Sequence, residues 1–99
     1  MRSIYFLLFS ILFIQTGLLA QGVDLSIEKG KYYTLSGNKQ YDQSAKVAFK
    51  IGNICLESNK FDEAKNFFEK AINDSKRANL TELTSLSIYN HGISTFNYA

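Results

Sequence analysis

The apolar residues of this chain fall at spacings of three and four, with no β-like alternation of useful length. From Asp24 onward the pattern predicts four helices. The first, over 24–36, carries Leu25, Tyr32, Tyr33 and Leu35. "SGNK" at 36–39 breaks it, and Gly37 suits a helix C-terminus. The second, Gln40 to Glu57, has the stripe Tyr41, Ala45, Ala48, Gly52 and Cys55, widened by Val47, Ile51 and Ile54. "SNK" at 58–60 is a tight turn. The third, Phe61 to Lys76, places Phe61, Ala64, Phe68 and Ala71 on one face, with Phe67 and Ile72 beside them. Asp62 and Glu63 open it and Lys76 and Arg77 close it, as the helix dipole favours. Asn79 with Glu82 three residues on resembles a capping box for a fourth helix. That helix carries Leu83, Leu86, Tyr89, Ile93 and Phe96.

The pattern recurs when the chain is shifted against itself. "EKG" at 28–30 matches "EKA" at 69–71, and "GN" at 37–38 matches "AN" at 78–79, both at an offset of 41; Gly52 and Gly92 are 40 apart. Periods of about 20–50 residues belong to stacked repeats. The unit is a helix, a three-residue turn, a helix and a longer turn.

Within it, Phe61 and Phe68 alternate with Ala64 and Ala71, large against small. Two antiparallel helices approach closely only where small residues sit at the crossing, and large ones fill the gaps beside them. Residues 45–78 resemble a tetratricopeptide repeat through Ile51, Gly52, Phe61, Ala64, Phe68 and Ala71. The chain departs from that family at Ala48, where a larger residue is common, and at Lys76, where proline is frequent. The resemblance implies an all-α fold of helix-turn-helix repeats, an alpha-solenoid fragment. Its packing residues are Ala48, Ile51, Gly52, Cys55, Phe61, Ala64, Phe68 and Ala71.

Residues 1–20 read as a signal peptide outside this fold. Arg2 is followed by an apolar run from Ile4 to Ile14, and Ala20 offers a cleavage point. The alternative is an uncleaved anchor over 4–20, at the short limit for a spanning helix. Removing Arg2 with the leader leaves ten basic and nine acidic residues, a net charge of +1 in 21–99. Neither this charge nor any basic cluster points to nucleic acid. A lone Cys55 allows no internal disulfide, so the fold rests on packing.

No catalytic, cofactor or metal constellation is evident. The single histidine, His91, with one cysteine is poor material for a metal site. Cys55 lies on the apolar stripe and reads as a buried, inert thiol. "NDS" at 73–75 and "NLT" at 79–81 have the form of glycosylation sequons, relevant only in a eukaryotic secretory pathway. Lys46, Lys50, Lys65, Asn66, Lys70 and Asp74 are expected on solvated faces. Tyr32, Tyr33, Tyr89 and Tyr98 are expected in packing rather than as ligand contacts.

The expectation is a non-enzymatic, extracytoplasmic scaffold, secreted or periplasmic, that binds a protein or peptide and needs no cofactor. A membrane association would require the anchor reading or a further segment. The alternative is the sensory input region of a bacterial membrane sensor kinase or regulator. The stripe Tyr89, Ile93 and Phe96 is expected as an uncovered edge open to a partner, consistent with the N-terminal part of a longer solenoid.

Overall fold

The computed structural model describes residues 25–98, and these form four helices with no strand among them: α1 Leu25–Gly37, α2 Tyr41–Glu57, α3 Phe61–Arg77 and α4 Thr81–Tyr98. The leader reading for 1–20, the anchor reading for 4–20 and the 21–24 junction lie outside the described residues. Each three-residue connection reverses the chain, so successive helices run antiparallel. α2 packs most extensively on α3, α3 on α4 and α1 on α2.

All three connections share one conformation. Lys39, Asn59 and Asn79, spaced by 20 residues, have φ of 61°, 61° and 59°. The next residue's N–H reaches back five positions: Gln40 to the Leu35 carbonyl, Lys60 to Cys55 and Leu80 to Ser75, at 2.9, 2.8 and 2.8 Å. This is the left-handed helix stop that satisfies otherwise orphaned carbonyls. The same Gln40, Lys60 and Leu80 then accept the first bond of the following helix, from Ser44, Ala64 and Thr84.

Four expectations are corrected by this geometry. Gly37 is the last helical residue and has no positive φ; Lys39 takes the left-handed position. Asn79 ends α3 rather than capping α4, because its backbone is already committed to the left-handed stop. The third connection is no longer than the others. The turns recur at 20 and 40, so the 41-residue alignment of 28–30 and 37–38 is displaced by one position.

The core lies between α1, α2 and α3. Ala45, Ala48, Ile51, Cys55, Ala64, Phe68 and Ala71 are fully buried, while Phe61 is half-buried. The α2–α3 crossing is set by Gly52. A Cβ built there would stand 2.6 Å from Phe68 Cε1 and 2.7 Å from Cδ1, closer than carbon atoms tolerate. Phe49 flanks the same ring edge-on at 5.8 Å. Gly52→Ala is therefore expected to lower stability by about 1–3 kcal/mol through overpacking. In thermal unfolding, Gly52→Ala/Phe68→Leu should regain part of that loss. An unchanged melting temperature for Gly52→Ala would show that the two residues do not meet at the crossing.

Asp74 is the main departure from the expected solvated faces. It is 2% exposed. Its Oδ2 accepts hydrogen bonds from Tyr32 Oη on α1 at 3.0 Å and from Ser44 Oγ on α2 at 2.7 Å. Arg77 Nη1 stands 3.6 Å from Oδ1, with its guanidinium over the Tyr41 ring. One carboxyl group on α3 thus ties three helices. Burial, reinforced by this carboxyl, pushes the Tyr32 phenol up to about 12. Lys46, Lys50 and Asn66 are exposed, and Lys65 and Lys70 are half-buried.

A second tie joins α1 to α3. Lys29 Nζ donates to Glu63 Oε2 at 2.7 Å. That hydrogen bond holds the Glu63 carboxyl below, and the Lys29 ammonium above, their ordinary values. The Glu63 contribution is present above the ordinary carboxylate pKa and fades as pH falls through the lowered value. The Lys29 contribution is present below the ordinary ammonium pKa and fades as pH rises past the raised one. Lys29→Met is accordingly expected to cost a little stability between about pH 5 and pH 10 and nothing below about pH 3. Urea titrations at both pH values check this, and an equal cost at each would assign the loss to packing instead. Both side chains are more than a third exposed, so solvent screening keeps the effect small.

Candidate interaction surface

The helices form two layers. Tyr32 meets the Phe67 ring edge-on at 6.0 Å, and this contact with the Lys29–Glu63 pair places α1 beside α3. Asn90 Nδ2 on α4 donates to Asn53 Oδ1 on α2 at 2.9 Å, which places α4 beside α2. Lys46 of α2 and Leu80, Glu82, Leu83 and Leu86 at the start of α4 line an open depression on this second layer.

α4 is turned in an unexpected way. The side it presents to α3 is polar and small. Ser87 and Ser94 are fully buried and bond back to the carbonyls of Leu83 and Asn90. Thr84 Oγ1 lies 2.6 Å from Ser75 Oγ. His91 Nε2 lies 3.2 Å from Glu69 Oε2 at the edge of this contact. Small hydroxyl residues suit close approach, and each satisfies its own polar group locally.

The apolar stripe named from the sequence faces the other way. Tyr89 is 68% and Phe96 86% exposed, Leu86 and Ile88 are about half exposed, and Ile93 and Leu83 are half-buried. Ile88, Tyr89, Gly92, Ile93, Phe96 and Asn97 line a shallow apolar hollow on this face. Of the tyrosines, Tyr32 is in the core, Tyr33 and Tyr89 are exposed, and the side chain of Tyr98 is not among those described.

The chemistry of the remaining groups is limited. Cys55 is buried and free, and burial raises its thiol pKa, which suppresses the reactive thiolate. Among the described residues no three histidine, cysteine, aspartate or glutamate side chains come together to hold a metal. No described helix is long and apolar enough to cross a membrane. Sequence reasoning missed Asp74, Ser44, Ser87 and Ser94 as interior groups. Their only signal was position: Ser87 and Ser94 lie seven apart, on the side of α4 opposite its apolar stripe.

Scans against protein-family models, curated proteins and solved structures find no match to the chain.

Proposed function

We propose that the chain is an extracytoplasmic helical-repeat scaffold of the tetratricopeptide kind that binds a protein partner through α4 and the adjoining α2/α4 surface. The observation that carries this reading is the inverted polarity of α4. A surface helix ordinarily turns apolar residues inward and polar ones to water. α4 buries Ser87 and Ser94 and presents Tyr89 and Phe96 to solvent. A concentrated exposed patch of this sort marks a contact surface. The repeat reading draws support from the 20-residue recurrence of the left-handed turn and from the seating of Phe68 on Gly52. The leader-like residues 1–20 support export.

The test is a paired replacement, Tyr89→Asp with Phe96→Asp. Both side chains are exposed, so the melting temperature should hold. The unmodified chain, recovered from the extracytoplasmic fraction of its own cells, should bring a specific protein that the variant does not. Recovery of the same proteins with both would overturn the reading.

A further inference from the structure

We infer that α1 is a separable strap, hinged at Lys39, which lifts from α2 and α3 as one unit while α2, α3 and α4 stay folded. The three elements are joined by different chemistry. α2 and α3 meet through buried apolar side chains, with the Phe68 ring on Gly52. α1 buries Tyr32 alone of its side chains; Leu25 and Leu35 are partly covered, and Ile27 and Tyr33 face water. Its other ties among the described residues are charged. Lys29 meets Glu63 at 2.7 Å in reach of water. Glu28 Oε1 stands 3.5 Å from Lys50 Nζ and, although shut off from water, has no hydrogen bond. Screened ion pairs add little, and a covered acceptor without a donor opposes docking.

The helix and its hinge are weak at matching points. Gly30 lies inside α1, where a Cβ would meet nothing within 4 Å, so no close approach requires the glycine and its flexibility only weakens the helix. The turns at Asn59 and Asn79 put asparagine, which tolerates a left-handed backbone, at the positive-φ position; the α1–α2 turn puts Lys39 there, at φ 61°. Straightening that connection relieves the most strained of the three turns. Lifting α1 takes Tyr32 from the Phe67 ring and the Asp74 carboxyl and leaves the Phe68–Gly52 seat intact. An element held by few buried apolar contacts opens below the free energy of global unfolding. The strap lies beside α3, whereas the exposed face of the proposed function lies on α4, so the two ideas stand or fall separately.

Native-state amide hydrogen exchange of the full chain, read residue by residue by NMR, tests the strap. The amides of Lys29 to Gly37 are expected to share one opening constant, at least about tenfold larger than that of the α2 and α3 core amides. That constant should respond weakly to low urea, because opening exposes one helix face only. Phe68→Leu should speed exchange in α2 and α3 by about tenfold and leave α1 unchanged, since the Phe68 contact is kept when the strap lifts. Ala71→Gly is a second variant with the same expected pattern. Tyr32→Phe should speed α1 exchange by about fivefold, through loss of the hydroxyl on Asp74. Four results would overturn the inference. One is equal protection of α1 and the α2–α3 core. Another is acceleration of α1 by Phe68→Leu to the same extent as the core, which would make the four helices one cooperative unit. The third is a graded loss of protection from Leu25 inward, which is fraying of an end rather than lifting of a strap. The last is α1 exchange that Tyr32→Phe leaves unmoved.

Discussion

Phe68→Ala is expected to cost about 3–5 kcal/mol, the largest effect of any single truncation in this fold. Phe68 is the largest fully buried side chain and the one that α2 is shaped to receive. Its removal would leave a void between Gly52 and Phe49, and neither can fill it. Gly52 has no side chain, and the Phe49 ring already packs edge-on from the side. For a domain of this size each kcal/mol moves the melting temperature by about 4–8 °C, so a fall of more than about 12 °C is expected. Thermal unfolding followed by circular dichroism measures it. A fall of only a few degrees would mean that the α2–α3 crossing collapses around the void, and that Gly52 does not set its distance. Phe67→Ala provides the contrast. Phe67 is also buried, but it faces Tyr32 of α1 across the layer, and its loss should loosen α1 while the α2–α3 pair holds.

Asp74→Ala is expected to cost about 2–4 kcal/mol, because two buried hydroxyl donors lose their common acceptor. Tyr32 is 5% exposed and Ser44 0%, so water does not readily replace the carboxyl oxygen. Ser44 retains only a long 3.4 Å contact with the Tyr41 carbonyl. Asp74→Asn should cost less, since the amide keeps one carbonyl acceptor for the two hydroxyls. The decisive comparison removes the three buried polar groups together and leaves Arg77, whose side chain is 60% exposed, to water. Tyr32→Phe, Ser44→Ala and Asp74→Leu in one chain leave no buried group of this cluster unpaired, and much of the lost stability should return. Urea unfolding of the single and triple variants settles the point. If the single change costs under about 0.5 kcal/mol, as a surface replacement does, the three-helix tie is not a stabilising contact.

The Lys29–Glu63 pair makes the same α1-to-α3 connection at a far smaller scale. It is accessible to water, whereas the Asp74 cluster is enclosed. The connection of α1 to α3 therefore rests mainly on Tyr32, through its ring on Phe67 and its hydroxyl on Asp74. A variant of Tyr32 alters both at once, whereas Phe67→Ala removes the ring contact and Asp74→Ala the hydrogen bond.

The sequence by itself determined the helices and their large-on-small packing. Spacings of three and four place residues on one face whatever surrounds them, so the stripe Ala45, Ala48, Gly52 and Cys55 and the stripe Ala64, Phe68 and Ala71 could be read directly. Gly52 opposite a bulky ring follows from the same local rule, and the structure places Phe68 there. The all-helical class follows as well.

Only the tertiary structure decided which side of α4 faces inward. Periodicity groups Leu86, Tyr89 and Phe96 on one side and Ser87 and Ser94 on another, but burial depends on the neighbour each side meets. α3 meets the serines. Asp74 was hidden for a related reason. A charged residue near the end of an amphipathic helix reads as solvated until donors on two other helices converge on it, and Tyr32 and Ser44 lie 42 and 30 residues away. The turn register was decided the same way. Gly37 and Asn79 carry strong local preferences, yet the helix lengths required by packing put the left-handed residue at Lys39 and used Asn79 to end α3 instead of starting α4.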